Sequence, residues 1–572
     1  MKLEKRKLGK LIRQPNLLML LVAIIVNLTI IINNPKLINS YDTPFHISRI
    51  IGAWQGWQNG QIIPYINTTA LNNLGLGSNF FYGTWQAFLF ALVYGITHSI
   101  IAVFILFNIS VLLIAGISMR KLLLKFVNNF YSTLGAVFYI SSPFVLHNLL
   151  LTGDQGALLG IMFLPIIIFN LWQIVIEHRK SIVGLSIAAS LLLASHLLST
   201  FLVALTIGIL IISLPKLFLQ RFILKQLFKA LGLTLFLSCY YWIPLLYLKH
   251  INLYNVFNKQ IYTMDRTATF LNNSNNWQPY SSLILYINIG LLMLLTVTVI
   301  KIFWVNNKTL KTSFGNVSPK KLLCYPVSLT ILFYSLSYAP INWSYMPSCF
   351  YSLQFKWRFM LIGYFFMIIA MVISLSFWQS TIKRATIQRS LLLSLSTLYA
   401  LMVLGQMYQY SYSIRHAVKI TSRLTTGYKV YNPHTKNDAW YFEYATTGVY
   451  QNQKLITIKT NAWLNGQYIR TNHNQVTINQ RRKTTQTITF KKIYYPGYRL
   501  RLANGKYVQA HYNQTGLVTF QLPKGYRGRV QLVYQTPLWI CGLWLFSWSG
   551  YLWLSIHKFK QDRILKKPLS IK

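Results

Sequence analysis

The chain alternates long apolar stretches with short polar segments from Leu17 to Trp553, and many apolar stretches approach the length of a membrane span. This pattern predicts a polytopic α-helical membrane protein with about twelve spans. The first apolar run is longer than that of a signal peptide, and no small-residue cleavage site follows it. We therefore expect an uncleaved first span.

Basic residues concentrate in short segments between the apolar stretches, as is typical of cytoplasmic loops. Their spacing predicts a multi-pass protein with both termini cytoplasmic and with outer loops at residues 33–83, 147–156 and 249–280. Residues 80–96 are apolar enough for a short span. The charge pattern favours a re-entrant or juxtamembrane helix there, or the outer part of one long tilted helix.

The pattern changes over residues 411–536, where an alternation of period two replaces the long apolar runs. Asn465-Gly466 and Asn504-Gly505 separate alternating segments, which indicates β-hairpins. We predict an extracytoplasmic β-sandwich here. The predicted domains are a transmembrane domain at 1–410, a β-rich domain at 411–536, and a last span with a basic cytoplasmic tail at 537–572.

Composition narrows the possible functions. Apolar residues make up 53% of the chain and charged residues 11%, which excludes an ordinary soluble globule. The 55 basic and 8 acidic residues give a net charge of +47. Because the basic residues lie between apolar segments, we expect anionic membrane lipids as partners and no nucleic acid. Carboxylate chemistry is limited to Glu4, Asp42, Asp154, Glu177, Asp265, Asp438, Glu443 and Asp562.

Two predicted outer loops carry candidate acids. In YDTPFHISRI, the residues Asp42, His46 and Arg49 are spaced so that a helix would place them on one face. A charged trio beside a span is a candidate functional site, although a capping Asp42 paired with Arg49 is an alternative. Asp154 precedes a helical pattern in TGDQGALLG, where it is either a site residue or a helix cap.

Two later segments add candidate ligands. In QFKWRFM, the guanidinium of Arg358 suits a phosphate and Trp357 suits a membrane interface, with an interfacial anchor pair as the alternative. His196 in LLLASHLLSTF is either a site residue or a polar residue packed within the bundle.

The order of YDTPFHISRI, WQNGQIIPYI, LGLGSNFFYG, GDQGALLGIMFLPIIIF, SHLLSTF and QFKWRFM resembles the bacterial pyruvoyl-tetrahydropterin-synthase-related membrane proteins. It is similar, more distantly, to YfhO-type membrane proteins, whose outer β domain resembles YYPGYRLRLANGKY and QLPKGYRGRVQLVY. These families are grouped with the GT-C class of glycosyltransferases. The resemblance implies a GT-C-like protein of the bacterial plasma membrane that moves a lipid-linked sugar to a cell-envelope polymer acceptor on the outer face.

The resemblance also implies roles for individual residues. Asp42 and Asp154 match the acids of the first and second outer loops and are the expected catalytic residues, while Trp357 and Arg358 match a late WRF motif. Glycosyl transfer from a lipid phosphate needs a base for the acceptor proton, and Asp42 suits that role. The leaving phosphate needs positive charge or hydrogen-bond donors, a role that suits His46, Arg49 and Arg358. His196 and Trp357 complete the expected substrate-binding set.

A divalent cation, Mg²⁺ or Mn²⁺, would take Asp42 and Asp154 as ligands. The chain departs from its relatives here, because Thr152 and Ala157 replace the Arg and Glu of their R-G-D-x-G-E motif, and Lys356 replaces a usual Pro. Loss of that Glu removes a potential metal ligand or base. Two other functions therefore stay open: a transporter or flippase of lipid-linked saccharides, and a catalytically inactive scaffold for envelope polymer assembly.

Overall fold

The computed structural model describes residues 14–32, 42–68, 70–254, 319–338, 355–381, 399–408, 462–469, 474–479 and 484–565, with 347, 350, 353, 397, 450–451 and 454–455. Within these ranges the chain is mostly helical and has a C-terminal β region, so the predicted combination of apolar helices and β structure is confirmed. Most of the predicted outer loop 249–280 lies outside the described residues.

Thirteen helices of the described residues are numbered α1 to α13 in chain order. They are α1 (Pro15–Ile32), α2 (Thr43–Gln58), α3 (Thr84–Thr97), α4 (Ile100–Leu123), α5 (Asn129–Ile140), α6 (Gln155–Val175), α7 (Ile182–Leu193), α8 (Leu197–Ser213), α9 (Arg221–Leu237), α10 (Cys239–Ile251), α11 (Pro319–Tyr338), α12 (Met360–Thr381) and α13 (Leu538–Leu565). Shorter helical pieces are Ala70–Asn73, Ser78–Phe80, Pro143–Leu146, His147–Thr152, Pro215–Phe218 and Lys356–Phe359.

Four described stretches are long and apolar enough to cross a membrane, or five if α9 and α10 form one bent span. The four are Ile100–Leu123, Asn129–Thr152, Gln155–Val175 and Lys356–Phe377. The ambiguous residues 80–96 fall mostly in α3, which is separate from α4. Helix α3 ends because His98 adopts a left-handed backbone with φ 49°, and α4 begins two residues later.

The described residues divide into two compact units, each built from segments that are distant in the sequence. Unit 1 takes its residues from Met1–Thr43, Ile101–Gly232 and Tyr262–Thr425. Unit 2 takes its residues from Pro44–Ile100, Leu233–Ile261 and Thr426–Lys572. The domains predicted from the sequence, at 1–410, 411–536 and 537–572, are each one continuous stretch of chain, and their bounds stay a prediction.

Helix packing within unit 1 depends on small residues and local polar bonds. At Gly135 of α5, the nearest side chains include Val372 of α12, and at Gly184 of α7 the nearest is Asn170 of α6. Ser181, just before α7, donates a hydrogen bond to Asn170 Oδ1 at 2.6 Å. These contacts hold α6 and α7 close together.

The strands of the β region are β1 (Tyr450–Gln451), β2 (Lys454–Leu455), β3 (Ala462–Leu464), β4 (Gln467–Ile469), β5 (Gln475–Ile478), β6 (Gln486–Ile493), β7 (Tyr498–Leu502), β8 (Tyr507–Gln509), β9 (His511–Tyr512), β10 (Leu517–Leu522) and β11 (Gly528–Tyr534). They form antiparallel sheets with strand orders β1-β2, β4-β3-β6-β10-β9 and β5-β11-β7-β8. Asn465-Gly466 joins β3 to β4 and Asn504-Gly505 lies between β7 and β8, so both predicted hairpins are confirmed. Burial alternates along β6 and β7, as expected for sheets with one covered face.

Unit 2 joins the predicted first outer loop to the β region through buried polar bonds. Lys492 of β6 donates from Nζ to the carbonyl oxygens of Thr68 and Asn73 at 2.8 and 2.6 Å, and its side chain is buried. The N–H of Ile493 donates to the Leu74 carbonyl at 2.8 Å. These bonds satisfy backbone carbonyls that would otherwise be costly to bury.

The turn before β7 gives a prediction about stability. Gly497 has φ 116°, and a Cβ placed there would lie 2.5 Å from the carbonyl oxygen of Gln535. The backbone N–H of Gln535 donates a hydrogen bond to the Gly497 carbonyl oxygen. We expect Gly497→Ala to lower the free energy of unfolding by about 2 kcal/mol or more, because it combines backbone strain with a clash against backbone. Thermal unfolding in detergent measures this.

The matched control is Gly542→Ala in α13, where nothing lies within 4 Å of the added Cβ. That helical substitution should leave stability unchanged or raise it by about 0.5–1 kcal/mol. Equal melting temperatures for the two variants would contradict the conformation of the 496–497 turn.

Candidate functional site

Asp154 lies at the start of α6, and its position depends on the segment before it. His147–Thr152 forms a π-helical turn that ends at Gly153 with φ 67°. Asp154 then caps α6, with its Oδ1 accepting the N–H of Ala157 at 2.9 Å, and the residue is only 3% exposed. The positive end of the helix dipole favours a negative charge at this point. π-Helical turns of this kind occur often at functional sites.

A backbone hydrogen bond places Asp42 close to the segment that contains Asp154. The N–H of Asp42 donates to the carbonyl oxygen of Thr152 at 2.7 Å, two residues before Asp154. Asp42 is partly exposed, whereas Asp154 is buried. The structure therefore brings the two loop acids into one neighbourhood of unit 1 and gives them different exposure to solvent.

Arg358 contributes positive charge to this neighbourhood. It lies in the short helix Lys356–Phe359, and its guanidinium carbon is 5.6 Å from the Phe355 ring centre and 5.8 Å from that of Trp357. Its Nε and Nη1 atoms are buried and have no hydrogen-bond partner in the part of the chain that the structure describes. Buried charged donors without a bond are costly, so this guanidinium is suited to an anionic ligand.

His196 lies in the turn between α7 and α8 and is buried. Its Nδ1 atom and Ser199 Oγ are hydrogen bonded at 2.7 Å. Burial lowers the pKa of His196 to about 4, the charge of Asp154 opposes this shift, and that of Arg358 adds to it. The imidazole is therefore neutral at pH 7, and it lies within electrostatic range of both charged site residues.

A further residue of the cluster, His147, was not among the residues selected from the sequence. Its ring centre is 4.9 Å from that of Trp357, which lies 6.0 Å from the ring of Phe144. His147 is 3% exposed. The sequence shows His147 seven residues before Asp154 in LHNLLLTGD, which could have marked it as a site residue. The periodicity of the sequence does not predict the π-helical turn that contains His147.

His46 and Arg49 belong to unit 2, whereas the other five predicted site residues belong to unit 1. Arg49 donates from Nε to Asn79 Oδ1 at 2.8 Å, from Nη1 to His46 Nδ1 at 3.3 Å, and from Nη2 to the carbonyls of Tyr82 and Gly83. Because arginine can only donate, His46 Nδ1 accepts and the imidazole proton lies on Nε2. Every guanidinium nitrogen is engaged, and phosphate binding by Arg49 stays a prediction.

A metal centre receives little support from the donor set. Among the described residues, no group of three His, Cys, Asp or Glu side chains has an arrangement that suits a metal ion. One oxygen of Asp154 already accepts a backbone N–H, and positive charge is supplied nearby by Arg358. Two carboxylates alone do not make a site for a divalent cation, and cation binding by Asp42 and Asp154 stays a prediction.

The burial of His196 gives a prediction about pH. Its pKa is lowered on folding from 6.5 to about 4, so protons bind the unfolded chain in preference to the folded protein between these values. Its contribution to stability is therefore complete above pH 6.5 and declines as the pH falls toward 4. We expect the melting temperature to decrease less between pH 7 and pH 5 in His196→Gln than in the parent protein. Identical pH dependence in both proteins would contradict the buried neutral imidazole.

Comparison of the sequence with protein-family models and with curated proteins finds no match. Several helices are of membrane-spanning length. We call the cluster of polar and aromatic residues in unit 1 the acid–arginine cluster; its members are Asp42, His147, Asp154, His196, Trp357 and Arg358.

Proposed function

We propose that this chain is a GT-C-like membrane glycosyltransferase that moves a sugar from a polyprenyl-phosphate carrier to a cell-envelope acceptor on the outer face of the bacterial plasma membrane. The observation that carries the proposal is the position of the acid–arginine cluster at the ends of three stretches of spanning length. Asn129–Thr152 ends there, while Gln155–Val175 and Lys356–Phe377 begin there. The end of a span corresponds to the depth of lipid headgroups, where a carrier phosphate lies.

Arg358 is the proposed ligand of the carrier phosphate. A guanidinium offers only donors, and two buried nitrogens of Arg358 have no partner within the part of the chain that the structure describes. Low solvent access strengthens its attraction for the charge that develops on the leaving phosphate oxygen. Phosphate binding by His46 and Arg49 is not required for this role.

Asp42 is the proposed base. In the transfer, the bond between the anomeric carbon and the phosphate oxygen breaks, and the phosphate leaves with the electron pair toward Arg358. The acceptor hydroxyl oxygen forms the new bond to the anomeric carbon, and its proton passes to the Asp42 carboxylate. Partial exposure of Asp42 leaves room for an acceptor that arrives from the aqueous side. Asp154, buried and capping α6, orients the cluster and balances the charge of Arg358.

The proposal includes the finer architecture expected from the sequence, namely about twelve spans and an extracytoplasmic β-sandwich. The two larger antiparallel sheets, with alternating burial along β6 and β7, support a sandwich. The second candidate function is the inactive scaffold, and one observation favours it: Asp154 Oδ1 is used as a helix cap, which is a sufficient structural role for that acid.

Reconstitution in vesicles tests the proposal. The protein would be supplied with polyprenyl phosphate carrying one radiolabelled sugar, together with isolated cell-envelope polymer. We expect labelled polymer and bare polyprenyl phosphate in equal amounts. Movement of the intact labelled lipid between leaflets, without transfer, would instead support the transporter. Neither transfer nor movement with any of several sugars would contradict both activities and leave the scaffold.

A further inference from the structure

Two neutral side chains next to Asp154 are buried and carry polar atoms without hydrogen bonds. Asn148 is fully buried, and its amide nitrogen donates to the Phe144 carbonyl at 2.8 Å, while its Oδ1 has no partner among the described residues. Gln155, the first residue of α6, is 2% exposed, and its Nε2 has no partner in the same part of the chain. One unused acceptor therefore lies in the π-helical turn before Asp154, and one unused donor lies directly after Asp154.

Backbone bonds fix both residues relative to the acid–arginine cluster. The Asp154 N–H donates to the Asn148 carbonyl at 3.2 Å, so the π-helical turn closes on Asp154. Gln155 follows Asp154 directly. His147, adjacent to Asn148, has its ring against Trp357, and Trp357 is adjacent to Arg358. Both amides are thus adjacent in the chain to members of the acid–arginine cluster, Asn148 to His147 and Gln155 to Asp154.

The chemistry of these groups distinguishes them from Arg358. Leaving a buried neutral donor or acceptor without a bond costs about 1–3 kcal/mol, which a ligand can recover. An ionised phosphate offers only acceptors, so it cannot bond the Asn148 oxygen. A hydroxyl both donates and accepts, and can bond either amide. Pockets that place a few polar groups beside aromatic side chains are typical of small-ligand sites.

We infer that Asn148 and Gln155 recognise hydroxyl groups of the sugar that the carrier delivers, beside the phosphate held by Arg358. This inference rests on the proposed function and adds the residues that select the sugar. Asn148 Oδ1 accepts from one sugar hydroxyl and Gln155 Nε2 donates to another. Trp357, which is 7% exposed and packs against His147, covers the less polar part of the sugar ring.

The test compares binding of two kinds of lipid to the full-length protein in detergent. One probe is bare polyprenyl phosphate, and the others are polyprenyl phosphates carrying glucose, galactose or N-acetylglucosamine. We expect at least one sugar-bearing lipid to bind the parent more tightly than the bare lipid. Gln155→Met and Asn148→Leu should each weaken binding of that lipid about tenfold, while the affinity for bare polyprenyl phosphate stays within about twofold.

Thermal unfolding without lipid separates this role from a structural one. Gln155→Met removes a buried donor that has no bond, so its melting temperature should equal or exceed that of the parent. The control is Gln226→Met in α9, which also removes a buried unbonded amide atom, Oε1, and should change neither lipid affinity.

The outcomes separate the two proposals. If the parent binds the sugar-bearing lipids no better than bare polyprenyl phosphate, or if both variants keep the parent's preference, the assignment of Asn148 and Gln155 is overturned while the phosphate site stands. If the parent binds neither kind of lipid, the proposed function fails, and the inference fails with it.

Discussion

Replacing Asp42 with asparagine is expected to reduce sugar transfer by a factor of roughly 10² to 10⁴ while the protein remains folded and inserted. The amide keeps the size of the side chain and an acceptor oxygen, so a purely structural Asp42 would lose little, about 0.5 kcal/mol or less. What the amide cannot do is take the proton of the acceptor hydroxyl. The measurement is the initial rate of transfer from the lipid-linked sugar at saturating donor.

The control for Asp42→Asn is Glu177→Gln, which changes an acid outside the acid–arginine cluster. Glu177 forms ion pairs with Lys125 at 2.6 Å and Arg179 at 3.2 Å. Loss of these pairs affects stability slightly and should leave the transfer rate unchanged. An Asp42→Asn protein that transfers sugar at the parent rate would show that Asp42 is not the base.

Replacing Arg358 with methionine is expected to reduce transfer about 10² to 10³-fold, because the developing charge on the leaving phosphate loses the guanidinium that is proposed to bind it. Arg358→Lys should fall between the parent and the methionine variant, since an ammonium keeps the charge and loses the planar donor geometry. The melting temperature of Arg358→Met should not fall, because two buried donors without bonds are removed. Transfer rates and phosphate affinity measure the effect.

Arg120→Met provides the contrast. Arg120 donates from Nε to Thr133 Oγ1 at 3.2 Å and from Nη2 to Asn129 Oδ1, so its donors have protein partners. Its removal should lower stability without changing the rate of transfer by the folded fraction. If Arg358→Met behaves in the same way as Arg120→Met, Arg358 has a structural role and the proposed phosphate site is wrong.

The sequence predicted those parts of the fold that depend on local pattern. Residues 475–478 alternate in polarity and form β5. In the two Asn-Gly turns, Asn465, Gly466 and Gly505 have the left-handed backbone that asparagine and glycine favour. Long apolar runs became helices of spanning length. In each case the determining interactions lie within a few residues of one another.

The candidate site was predictable only in part, because its chemistry depends on which donors are already satisfied. Arg49 and Arg358 are both candidate phosphate ligands in the sequence. In the fold, Arg49 is bonded by Asn79, His46 and two carbonyls, while two buried nitrogens of Arg358 have no partner among the residues that the structure describes. That difference arises from long-range packing, which a single sequence does not reveal. The π-helical turn at His147 could not be predicted either, because its repeat differs from those of the α-helix and the β-strand.

The bond between Lys492 and the Asn73 carbonyl has a consequence for the synthesis of the protein. The two residues are separated by 419 positions, so at about 5–20 residues per second the ribosome supplies the lysine roughly 20 to 80 seconds after the loop. During this interval the loop carbonyls must be hydrated or held by other factors. A truncated chain that ends before β6 lacks the hydrogen bonds from Lys492 to the loop carbonyls. We expect membrane proteases to degrade such a chain.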